Sequence, residues 1–189
     1  MRPLYKGVLL VAIPMNNYLV IAALGANHPS LLNQFTETLL LCGCNIINSR
    51  MTSLGREFGL VALLSGNWGT IAKLEASLPN LEQALGITTL VKRTHPPSTE
   101  HKVMTYVVHV VTIDRPGILN ELSSFFANES ITVEDVSAHT YFAYTGTRMV
   151  AMTLNINISV DIHIPTLREK FMHYCDALNL DAGMEPLRD

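Results

Sequence analysis

The chain has 189 residues, enough for one large domain or two small ones, and at 48% apolar and 15% charged it can bury a substantial core rather than remain disordered. Its formal charge of −3 argues against gripping nucleic acid directly, which needs a basic footprint to displace counterions from phosphates. Three cysteines build no disulfide framework, and with no apolar run of membrane-spanning length the expected setting is the cytoplasm, away from membranes.

The first 15 residues place Arg2 and Lys6 before a short apolar run, Val8 to Ile13, that Pro14 ends. That run is shorter than a signal peptide's apolar region and no A-x-A site follows, so residues 1–15 read as an N-terminal extension or as sequence preceding a start at Met15. From there the elements come in a clear order. Tyr18 to Leu24 reads as a strand, and Leu31, Leu32, Phe35 and Leu39 stripe a helix running from Pro29 to about Cys42. Strands over Asn45 to Thr52 and Phe58 to Ser65 follow, then a helix from about Thr70 that Pro79 should interrupt, then a strand from Ile87 to Lys92. Thr94 to Glu100 is polar and proline-containing, a linker assigned to residues 94–101.

Val103 to Val111 is β-branched and apolar enough to be a strand buried on both sides. Ile118, Leu119, Leu122, Phe125 and Phe126 then share one helix face, and a strand restarts at Ile131 to Val136. Arg148 to Ile158 alternates apolar and polar residues with period two, the mark of a sheet with one apolar face. Thr166-Leu167-Arg168-Glu169 has the spacing of a capping box opening a helix, and Ala182 to Glu185 supplies a last short strand.

The two halves repeat. Laying Pro29 on Pro116 sets an offset of 87 residues that also pairs Gln34 with Glu121 and Asn45–Asn48 with Thr132–Asp135. It slips at the next turn, where Tyr141 to Thr147 is three residues longer than Leu54 to Glu57. Each half is βαββαβ, so the expected fold class is α+β: two tandem ferredoxin-like domains, antiparallel sheets with helices on one face, at residues 16–93 and 102–189. The apolar strands further suggest that the open sheet faces are covered, by mutual packing of the copies or in a homodimer.

The first strand-to-helix corner of each half is the place for a small anion, since a helix N-terminus offers unsatisfied N–H groups and partial positive charge. At Asp114-Arg115-Pro116-Gly117 the glycine permits close backbone approach, and Asp114 is free either to cap the helix or to take an ammonium group; a plain turn with a cap accounts for the same residues. His28 and Arg115, at matching positions, offer donors to a carboxylate or to a partner's acidic group. Cys42-Gly43-Cys44 lacks zinc spacing and reads as buried thiols, and none of the seven histidines forms a ligand motif. No catalytic constellation is present, and no enzyme activity or cofactor is expected.

The motif Asp114 to Leu119 after a strand, in a βαββαβ unit of this size, resembles the ACT domain, a regulatory module that commonly binds amino acids at domain interfaces. The tandem copies, through stretches such as Cys42 to Ile46, Asn48-Ser49-Arg50, Leu63 to Gly66 and Lys92-Arg93-Thr94, resemble more narrowly the ACT-type regulators of the glycine cleavage operon. That resemblance implies a non-enzymatic negative regulator that acts by contact with a DNA-binding transcriptional activator of the operon, with glycine or another small amino acid as effector. Carried over by motif, the ligand positions are Asn27, His28, Pro29, Ser30 and Leu31 in the first copy, Asp114, Arg115, Pro116, Gly117, Ile118 and Leu119 in the second, and Asn48 and Asp135 on the facing strands. Ser30 stands where the family has glycine, and Asn48 where an acidic residue is expected. An ACT-type regulatory subunit that binds and modulates a metabolic enzyme is the alternative.

Overall fold

A computed structural model describes residues 17–96 and 103–187. The N-terminal extension and most of the linker lie outside the described residues. The chain divides into two compact units, Met1–Pro97 and Ser98–Asp189.

The first unit runs β1 (Asn17–Ala26), α1 (Leu31–Cys42), β2 (Asn45–Leu54), β3 (Glu57–Gly66), α2 (Trp68–Leu85) and β4 (Ile87–Thr94). The second repeats it as β5 (Val103–Ile113), α3 (Ile118–Asn128), β6 (Thr132–Phe142), β7 (Arg148–Ser159), α4 (Ile164–Ala177) and β8 (Asp181–Pro186). Each unit forms one four-stranded antiparallel sheet, ordered β2-β3-β1-β4 and β6-β7-β5-β8. Both are ferredoxin-like βαββαβ units.

Period-two alternation decides which sheet face meets the helices. On β7, Val150, Met152, Leu154, Ile156 and Ile158 are buried while their neighbours are half-buried or exposed. On β1 and β3 the buried set is Leu19, Ile21 and Ala23 with Phe58, Leu60, Ala62 and Leu64. Phe126 packs edge-on against Phe125 with ring centroids 5.4 Å apart and stacks on Phe171 at 5.5 Å, tying α3 to α4. Burying each such ring stabilises the unit by about 1.5–3 kcal/mol.

Four local expectations change. β5 is buried on one face only: Tyr106, Val108, Val110 and Thr112 point inward, and His109 is exposed on the other side. α2 runs through Pro79 to Leu85, because Leu81 and Leu85 continue the buried stripe of Ile71, Leu74 and Leu78 and their burial outweighs the lost N–H. α4 begins at Ile164 with Pro165 in its first turn, so Thr166 lies inside the helix, its hydroxyl 2.9 Å from His163 Nδ1 rather than in a capping box. The hairpin of the second unit is longer by five residues, not three. Ile21 pairs with Ala62 but Val108 with Leu154, so the offset rises from 87 to 92 across that turn.

Candidate functional site

In the first unit, β1 ends where Asn27 N–H donates to Arg56 O at 2.9 Å, and the chain turns through His28 and Pro29 into α1. Ser30 is the N-cap, with φ −91° and ψ −4°, and its side chain makes no capping bond. Its Oγ lies 3.2 Å from His28 Nδ1 and accepts from Gln34 Nε2 at 3.1 Å. Asn27 Nδ2 donates to Ser53 Oγ on β2 at 2.9 Å. Leu31 is buried in the core at 1% exposure, so it contributes anchorage and not a ligand-facing side chain.

The second corner has the same frame with different chemistry. Asp114 N–H donates to Arg148 O at 3.0 Å, and the Asp114 carboxylate pairs with Arg148 Nε at 2.8 Å. Arg115 grips Glu121 through both terminal nitrogens, at 2.8 and 2.6 Å. That fork holds the Glu121 carboxyl below its ordinary value and raises the Arg115 guanidinium. Arg115 is thus committed to Glu121 rather than standing as an open donor, and Asp114 is an ion-pair partner rather than a helix cap. Gly117 is the N-cap at φ +96°, a left-handed conformation that L side chains rarely adopt. Ile118 is buried at 2%, whereas Leu119, Pro116 and Gly117 line the exposed rim.

The corners therefore differ in backbone as well as in side chains. Ser30 fits its position because that backbone is right-handed; the second corner requires glycine. Four participants escaped the reading by motif: Ser53, Gln34, Glu121 and Arg148. Gln34 and Glu121 stood at equivalent repeat positions, one helical turn past Ser30 and Gly117, and that spacing was the available signal.

Asn48 and Asp135 do not join their own corners. Asn48 pairs with Leu63, which pairs with Val20, seven residues before Asn27; at about 3.3 Å per residue that is about 23 Å along the strands. Asp135 stands in the same relation to Asp114 through Asn155 and Val107. Both residues directly follow a β-bulge, between Ile46 and Asn48 and between Val133 and Asp135, and both are exposed. Bulges re-aim side chains at strand edges.

Of the two thiols expected to be buried at the Cys42-Gly43-Cys44 turn, Cys42 is buried and Cys44 is half-buried at the start of the strand that follows. Cys42 Sγ is 3.7 Å from Ser77 Oγ, and burial, aided by Cys42, pushes the Cys44 thiol up to about 11. Among the described residues no group of three or more His, Cys, Asp or Glu side chains could hold a metal ion, and no helix is long and apolar enough to cross a membrane.

Residues 17–92 match the ACT domain family. The chain is 28% identical over 180 residues to the glycine cleavage system transcriptional repressor of Escherichia coli strain K12, covering 92% of each chain, and equally similar to that of Shigella flexneri. Among solved structures, a crystal structure of a protein assigned as a glycine cleavage system transcriptional repressor superposes with a TM-score of 0.74 at 27% identity, covering 93% of this chain and 99% of that one. A protein from Galdieria sulphuraria shares the fold, with a TM-score of 0.72 at 17% identity.

Proposed function

We propose that the chain, whose residues 17–92 match the ACT domain family and which resembles the glycine cleavage system transcriptional repressor along most of its length, is an amino-acid-responsive negative regulator of glycine cleavage operon transcription. It acts by binding a DNA-binding activator, with glycine as effector, in the cytoplasm and without catalysis. The domains span residues 16–93 and 102–189, joined by 94–101. One observation carries this reading: the likeness to the repressor extends over 92% of both chains, through both units, rather than over a single module.

The corners offer the chemistry that a zwitterion needs. First-turn N–H groups of α1 and α3 receive a carboxylate, and the acceptors around them, Asn27 and Ser30 in one unit and Asp114 in the other, receive an ammonium group. Asn48 and Asp135, at the far end of their own sheets, reach a corner only if it belongs to another copy of the domain.

Calorimetry with glycine, alanine and serine tests the effector. Heat from glycine that Ser30→Ala diminishes is the expected result, and no binding of any amino acid at millimolar concentration overturns the effector half. Retention of the purified activator on immobilised chain, released by glycine, is expected for the partner half. Failure to retain the activator in the absence of glycine overturns it.

A further inference from the structure

The hairpin that joins β6 to β7, longer than its counterpart in the first unit, ends in an aromatic tip. Tyr141 is 40% exposed, Phe142 75%, and Tyr144 fully. Tyr141 and Phe142 are neighbours on one strand, so their rings leave opposite faces of the hairpin, and Tyr144 stands beyond them in the turn. Hydrogen bonds hold the turn: Ala143 N–H donates to Thr147 O and Gly146 N–H to Ala143 O, both at 2.9 Å, and Thr145 Oγ1 donates to Thr147 Oγ1 at 3.0 Å. The His139 ring lies beside Tyr141, with centroids 6.0 Å apart. From Val136 to Thr147 the sequence has no lysine, arginine, aspartate or glutamate, whereas the matching turn of the first unit, Leu54-Gly55-Arg56-Glu57, has two charges and no aromatic ring.

An aromatic wedge already held in shape loses little freedom on docking and removes much apolar surface from water, which is why such rings anchor protein interfaces. Rings on both faces suit a cleft that closes around the tip better than a flat surface. Charge selects the partner. Seven basic and four acidic residues give the first unit +3, and six basic and twelve acidic give the second −6. A DNA-binding protein carries a basic surface for phosphates, so the second unit attracts it and the first repels it. The first unit has exposed apolar side chains of its own, Leu40, Leu41 and Trp68, but on a body of the same sign as that partner.

We propose that the tip of the β6–β7 hairpin, Tyr141 to Tyr144, is the part of the chain that seats in the DNA-binding activator, in an uncharged apolar cleft of an otherwise basic protein. This rests on the partner reading above and deepens it by naming the surface. It also gives the effector a route to the partner. Asp114 grips the base of the hairpin, through its N–H to Arg148 O and through its carboxylate to Arg148 Nε at 2.8 Å, and an ammonium group at Asp114 competes with Arg148 for that carboxylate.

Titrating the purified activator with the full-length chain tests the proposal. Phe142→Ser with Tyr144→Ser is expected to raise the dissociation constant about tenfold or more, whereas Leu40→Ser with Leu41→Ser on the first unit is expected to leave it within about twofold. All four positions are exposed, so far-UV circular dichroism should show the fold retained in both variants. A wild-type chain that does not bind the activator overturns the partner reading and the proposal with it. Wild-type binding that the hairpin variant matches, or that the leucine variant loses instead, overturns the proposal alone. Vesicles of phosphatidylcholine and phosphatidylglycerol are expected to leave the chain in solution; sedimentation with them that the hairpin variant loses assigns the tip to a lipid surface and overturns the proposal.

Discussion

Single residues show where the duplicated corners part company. Gly117 at φ +96° is not a free choice: Gly117→Val adds a β-branched side chain to a left-handed backbone and is expected to lose about 1–3 kcal/mol in urea unfolding, so a loss of ligand response in that variant has two causes. Ser30→Ala avoids that confusion. Glu121 supplies a second test. Arg115 holds its folded-state pKa below the unfolded value, so its stabilising effect is present above the unfolded value and is lost as pH falls through the depressed one. Glu121→Gln should therefore melt below the wild type at pH 7, and the gap should narrow as the pH falls below the ordinary carboxyl value, followed by thermal melts. Cys44, pushed up to about 11, keeps its proton near neutrality, and iodoacetamide at pH 8 should label it on the order of a hundredfold more slowly than a free thiol of ordinary pKa. The motif exposed the corner residues themselves, but not their partners. Arg148 reaches Asp114 only through the antiparallel pairing of β5 and β7, a long-range contact that no local spacing encodes.

At the scale of elements, alternation on β7 and the stripes of α1 and α3 were legible because one buried face sets one period. Where local and tertiary signals compete, tertiary burial wins. Proline ends an isolated helix, yet α2 continues past Pro79 because Leu81 and Leu85 still face the core. Pro79→Ala gives the Glu75 carbonyl a donor and is expected to stabilise the first unit by about 1–3 kcal/mol in chemical denaturation. The bulges that offset Asn48 and Asp135 left no trace in composition. They emerge only as a register shift between paired strands; the separation of about 23 Å between each residue and its own corner comes from the antiparallel register, which sets it beside the far end of β1 or β5.

For the whole molecule, the offset of 87 residues already implied two copies, and the paired strands show what the repeat hid: added length sits in a hairpin while the ladders keep their register. Each unit owns its core, one around Phe35 and Phe58 and the other around Phe126 and Phe171. Phe126→Ala is expected to cost about 3–5 kcal/mol and to lower hydrogen-exchange protection in β5 to β8 while leaving β1 to β4 protected. The charge split between the units carries a preparative consequence. A protease cutting near residue 97 would release two pieces of similar length with opposite net charge at neutral pH, the first retained by a cation exchanger and the second by an anion exchanger, although the intact chain, at −3, behaves as a mildly acidic protein.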